Sequence, residues 1–122
     1  VRVKTISILT ADTVALGLTA TGDLSQGDAL VMPADLCEVT AQDVSSHSGV
    51  VIPSDASVGD MFTVINQSGS TLQVYPPSGG IYLPNDSIST APVVDQQAAL
   101  PNRKIMKIEC VDSGVFSAYF TS

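Results

Sequence analysis

Tryptophan is absent from this 122-residue chain, and only six aromatic side chains stand in it: Phe62, Tyr75, Tyr82, Phe116, Tyr119 and Phe120. A sugar-binding platform leans on stacked aromatics, Trp above all, so the chain is poorly supplied for one. Cations are nearly as scarce. Arg2, Lys4, Arg103, Lys104 and Lys107 are all there are, none falls between Lys4 and Arg103, and the net charge is −7. Neutralising phosphates takes clustered Lys and Arg, which argues against nucleic acid and against an anionic membrane surface as partners. One His and two Cys cannot supply the usual four-ligand zinc set. No apolar run approaches the 18 residues a spanning helix needs. Residues 1–6 are too weakly apolar to read as a signal peptide, which leaves open a leader cleaved before Val1.

What is there points to β structure. Apolar residues make up 44% of the chain, and its length suits one domain and not two. Charged residues reach only 14%, against roughly 25% in typical soluble domains. Ten of the twelve acids are Asp, which favours turns, and two are Glu, which favours helices.

Residues 2–10 are rich in β-branched side chains and read as a strand. Residues 13–20 alternate, placing Val14, Leu16 and Leu18 on one face, with Gly17 marking a bulge or a close backbone approach. Turns at 21–23 and 27–28 precede a short strand at 29–32, which Pro33 stops. Residues 34–44 read as irregular or short-strand structure, with one helical turn as the alternative. A strand at 49–53 closes on Pro53. Residues 61–66 then set Phe62, Val64 and Asn66 against Met61, Thr63 and Ile65, and 67–70 reads as a hairpin turn into a strand at 71–75. A short strand follows at 81–83, then a weakly patterned stretch from 85 to 102. Strands at 103–111 and 115–120 flank a turn at Asp112, Ser113 and Gly114. Nine or ten short strands between regular turn signals predict an all-β single domain over residues 1–122, a jelly-roll-like sandwich or barrel with little or no helix. The strand order stays open.

Two internal echoes occur. Residues 25–30 resemble 57–62 at an offset of 32, and residues 31–35 resemble 51–55 at an offset of 20. Because the offsets disagree, they read as shared turn chemistry and not as a solenoid period.

Candidate chemistry is thin. His47 has Asp43 and several serines nearby in sequence, but no Gly-x-Ser-x-Gly elbow places a nucleophile, so it reads as a solvated loop histidine. Asp23 with Asp28, or Asp55 with Asp60, could offer calcium their carboxylates, but without EF-hand spacing they read more simply as turn residues. Gly79 and Gly80 lack the lysine and following helix of a phosphate cradle. Tyr75 and Tyr82 flank the Pro76–Gly80 bend as a conceivable stacking pair, with core packing the simpler reading. Cys37 and Cys110 read as reduced, buried small hydrophobes, with a disulfide as the alternative. No catalytic, cofactor or metal residue is expected, and the chain reads as a non-enzyme.

The run Gly49-Val50-Val51-Ile52-Pro53, then Val58-Gly59-Asp60-Met61-Phe62-Thr63-Val64-Ile65-Asn66-Gln67-Ser68-Gly69, then Leu72-Gln73-Val74-Tyr75-Pro76-Pro77-Ser78-Gly79-Gly80 resembles one found in small structural proteins of tailed bacteriophages. Residues 108–116 resemble the closing hairpin of that run, with Phe116 where members often carry Trp. The resemblance covers about a third of the chain and implies a virion component, foremost a head decoration (cement) protein. Such proteins are commonly homotrimeric knobs that brace the capsid exterior after synthesis in the host cytoplasm. The implied partners are the major capsid protein and further copies of the chain. Residues 1–10 are the candidate capsid-contacting or subunit-exchanging arm, with Val1, Arg2, Val3, Lys4 and Ile6 as contact residues; pairing within the chain's own sheet is the competing reading. A tail or fibre module that recognises a host sugar or protein is the second expectation, anchored on Tyr75 and Tyr82. A trimeric all-β nucleotide hydrolase matches in size alone.

Overall fold

A computed structural model describes residues 14–77, 81–82 and 98–120. The strand expected at 2–10 lies outside them. Among these described residues ten strands run in chain order: β1 (Val14–Ala20), β2 (Leu30–Val31), β3 (Leu36–Gln42), β4 (Gly49–Val51), β5 (Met61–Asn66), β6 (Leu72–Tyr75), β7 (Ile81–Tyr82), β8 (Ala98–Leu100), β9 (Ile105–Asp112) and β10 (Val115–Phe120). The only helical turn among the described residues is a 3-10 turn at Gln26–Asp28. The strands form a six-stranded sheet, ordered β1-β3-β5-β9-β10-β7, and a four-stranded sheet, ordered β2-β4-β6-β8. The architecture is therefore the expected all-β sandwich, and no barrel closes among the described residues.

The connectivity within it is not the antiparallel Greek key of a jelly roll. From β1 to β6 the chain changes sheet at every strand. β1, β3 and β5 stack in parallel in one sheet, while β2, β4 and β6 stack in parallel in the other. Three successive coils thus lie on one another, and antiparallel β8 and β9 close the stack. The rejected solenoid is accordingly present, in short form. Leu30 pairs with Val50 and Val31 with Val51, so the echo at offset 20 is the true rung of the coil. The echo at offset 32 compares the approach to β2 with the approach to β5, which lie in different sheets, and is turn chemistry alone. The turn at 67–70 is likewise not a hairpin: it carries the chain from one sheet to the other.

Within residues 34–44 the short-strand reading holds over Leu36–Gln42, flanked by bends and without a helical turn. This strand is β3, whose Cys37 and Val39 are fully buried between the parallel neighbours β1 and β5. In β1 the expected inner face is displaced. Val14 and Leu16 are exposed, while Ala15 and Leu18 pack on the core and Ala20 is buried. The cause is the bulge expected at Gly17: register with β3 shifts there, and Gly17 takes φ +68°. The extra residue puts Ala15 and Leu18 on the same side.

Layers from both sheets build the core. In the larger sheet Cys37, Val64 and Met106 form one inward row, and Phe62, Ile108 and Ala118 another. Facing them are Val50, Val74 and Ala98, with Leu72 and Leu100 alongside. The smaller sheet is covered on its outer side too: Val51 and Tyr75 are buried there with Ala29, next to the 3-10 turn. Covering both faces explains why every residue of β4 and β6 is buried, the polar Gln73 included. Gly49 is dictated by this contact, because a Cβ there would stand 2.5 Å from the Gln73 carbonyl oxygen and 2.9 Å from a Tyr75 ring carbon.

Cys37 and Cys110 are both buried and free. β5 separates their strands, a gap of about 10 Å across the sheet. The residue aligned with Cys37 beyond β5 is Met106, four positions from Cys110 or about 13 Å further along. A disulfide spans no more than about 7 Å between Cα atoms, which excludes the bridge. Burial pushes both thiols above their ordinary pKa, with Asp35 adding to the shift at Cys37 and Asp60 at Cys110.

Three outcomes follow from this packing. Gly49→Ala is expected to lower the unfolding free energy by about 1–3 kcal/mol, because the obstructing carbonyl is backbone and cannot swing aside; urea denaturation reads the loss. Both thiols are expected to react with a disulfide reagent more than about tenfold slower in the folded protein than in denaturant. Since their folded pKa values are raised, the stability they confer is whole below the free thiol pKa of about 8.5 and declines as pH rises above it. Thermal melts at rising alkaline pH measure that decline.

Candidate functional site

Most polar side chains with defined partners gather at one corner of the coil, where the chain passes from the larger sheet to the smaller. Three connections lie there: 21–29, 43–48 and 67–71. Each leaves backbone groups without a ladder partner, and the neighbouring connection satisfies them. Asp43 N donates to Ala20 O, Leu24 N to His47 O and Gly49 N to Thr21 O. Gln67 N donates to Val39 O at 2.8 Å.

Side chains complete this mesh. Asn66, fully buried at the end of β5, donates from Nδ2 to Ser70 O and Leu100 O, both at 2.8 Å. Its Oδ1 accepts from the backbone N–H and hydroxyl of Ser68. One amide thereby fixes the sheet-switching turn and ties it to β8. Gln42 Nε2 reaches Ser68 Oγ, Ser70 O and Thr71 O. Ser48 Oγ donates to Gly22 O and accepts from Val44 N, while Gln73 Nε2 donates to Ser46 O. Gln42 Oε1 and Gln73 Oε1 are buried there with no hydrogen-bond partner among the described residues.

His47 sits on the outside of this corner. Its Nδ1 lies 2.8 Å from Asp23 Oδ1, and the two side chains are 47% and 65% exposed. The partner is thus Asp23 from the first connection, and not the sequence neighbour Asp43. Ser48, one of the two serines adjacent to His47, is buried, and its hydroxyl donates to Gly22 O. The arrangement links two connections through an exposed side-chain contact.

One member of each candidate calcium pair has another partner. Asp23 faces His47. Asp60 Oδ2 accepts from Ser57 N at 2.8 Å, and its backbone carbonyl accepts from Cys110 N, so the residue closes its own turn before β5. Among the described residues no three His, Cys, Asp or Glu side chains cluster as metal ligands, and no helix is long and apolar enough to cross a membrane. Tyr75 is 1% exposed and belongs to the packing beneath the 3-10 turn, so it offers no face to a sugar. The side chain of Tyr82, together with Gly79, Gly80 and the arm residues Val1, Arg2, Val3, Lys4 and Ile6, lies outside the described residues.

The sequence reading missed two features. One is Asn66 as the clamp of the corner; its only signal was a polar residue in phase with Phe62 and Val64 on an inward face. The other is an apolar groove of about 420 Å³ beside the 3-10 turn, lined by Gln26, Ala29, Val31, Val51 and Pro77, where the Gln26 amide donates to Pro76 O.

Asn66→Ala is expected to cost about 2–4 kcal/mol, because it strands buried donors and carbonyls in the turn and at Leu100. Asp23→Ala, which removes only an exposed pair, is expected to cost under about 1 kcal/mol. Parallel urea titrations of the two variants check the contrast.

Compared with known proteins, the chain matches no family model, no curated protein and no solved structure.

Proposed function

We propose that this protein is a non-enzymatic virion component that binds the outside of a tailed-bacteriophage capsid and stabilises the head lattice, as decoration or cement proteins do. The observation that carries the reading is that the described part of the phage-like run, residues 49–77, spans one complete coil, with several of its marker residues having a structural task. Pro53 follows the end of β4. Gly59 takes φ +95° and Asp60 closes the turn before β5. Asn66 clamps the corner, and Gly69 takes φ +95° within it. The closing part of the run is the β9–β10 hairpin that ends the stack. A resemblance that maps onto a whole structural unit is stronger support than one scattered over unrelated turns.

The outer face of the larger sheet suits protein contact. Met61 and Tyr119 are exposed on it, with Lys107 and Glu109 on the strand between them. Such a mixed face can pack against another subunit or a capsid surface. A homotrimer around a threefold axis would use heterologous contacts closed into a ring. The mechanism is mass action: a ligand that binds the mature lattice and not its disrupted state stabilises it by RT ln(1 + [L]/Kd), about 2.7 kcal/mol per site at a hundredfold excess over Kd. The sugar-binding alternative loses support from the burial of Tyr75, one of its two anchors.

Quantitative mass spectrometry of purified virions tests the reading. Copy numbers near one, or near one-third, per major capsid subunit are expected. A few copies per particle would move the protein to the tail or a fibre, and absence from the virion would overturn the proposal.

A further inference from the structure

The parallel stack of the smaller sheet ends, among the described residues, at β2. Aligning its rungs by register puts Leu30, Val50 and Val74 in an inward column, and Val31, Val51 and Tyr75 in an outward one. Exposure rises towards the open edge. Val50 and Val74 are fully buried while Leu30 is only partly so, and the outward column runs from 1% at Tyr75 through 8% at Val51 to 56% at Val31. Met32 N donates to Val51 O, so strand alternation points the Val31 N–H away from β4 and towards the open side. The edge has the apolar side chains and the backbone donor of a strand acceptor.

The coil itself identifies an occupant. After each outward residue the chain repeats a short pattern: Val31-Met32-Pro33-Ala34-Asp35 at β2 and Val51-Ile52-Pro53-Ser54-Asp55 at β4. One further copy stands upstream as Ile8-Leu9-Thr10-Ala11-Asp12. It precedes Val31 by 23 residues, between the rung offsets of 20 and 24 that separate β2 from β4 and β4 from β6. Four residues separate Val31 from the start of β3, and five separate Ile8 from the start of β1. The upstream copy therefore has the spacing of one more coil wound by the same chain.

We propose that the open edge of β2 is a strand-accepting site whose occupant is this chain's own segment 8–12, with Ile8 beside Val31. It does not depend on the virion reading. It narrows the part of the N-terminal arm free for an external partner to the residues before that rung, Val1, Arg2, Val3 and Lys4 among them.

Paired substitution Ile8→Cys with Val31→Cys tests this in the full chain, since the native Cys37 and Cys110 are buried. Mild oxidation is expected to give an intramolecular disulfide, whereas Ile8→Cys with Tyr119→Cys gives none. A disulfide between two chains would overturn the assignment in favour of exchange between copies, and no disulfide would overturn the site. Amide exchange supplies a second readout. Ile8→Pro is expected to speed exchange at the Val31 N–H by about tenfold or more, leaving Val64 in β5 protected; an unchanged Val31 rate would count against docking.

Discussion

A chain that changes sheet at every strand from β1 to β6 must satisfy its backbone at every corner, and the remainder of this structure depends on how it does so. Within a strand, the parallel neighbour takes up the N–H and C=O groups. At the corner nothing regular is available, and an unpaired buried group costs about 1–3 kcal/mol. Stacking three connections lets each serve its neighbour, with Asn66, Gln42 and Ser48 filling the remaining gaps. The apolar rows can then approach closely enough for Gly49 to be the largest residue tolerated against Gln73 and Tyr75. Corner and core are one problem solved together.

Local structure was readable wherever one face is buried and the other is not. β5 matches its expected bounds because Phe62, Val64 and Asn66 alternate with half-exposed neighbours, and β10 matches because glycine and aspartate mark its turn. β3 was obscured for a physical reason: Leu36, Cys37 and Val39 are compatible with either a helix or a strand, and only parallel neighbours on both sides decide between them. The phase of β1 was lost to a single bulged residue. Pairing partners were harder still, since a Ser-Gly turn looks the same whether it returns the chain to its own sheet or hands it to another.

The polar residues at the strand ends and connections share one fate. Asp60, Ser48 and Asn66 are spent on turns, and His47 joins Asp23 across two connections. Asp60 was legible as a turn residue, whereas the partners of His47, Ser48 and Asn66 were not visible in spacing along the chain, because they include groups on other connections and strands. What spacing did hold was the rung at offset 20, which was masked by a second echo of different origin.

The coils are unequal in length. Val50 lies twenty residues after its neighbour Leu30, whereas Thr63 lies twenty-seven after Leu36. By loop-closure entropy that difference amounts to only about 0.3 kcal/mol. Residues added between rungs are thus nearly free, while a residue added within a rung turns every side chain beyond it to the wrong face. Over evolutionary time such a chain can drift in length at its corners and still keep its rungs, so that its periodicity fades from the sequence while the winding persists.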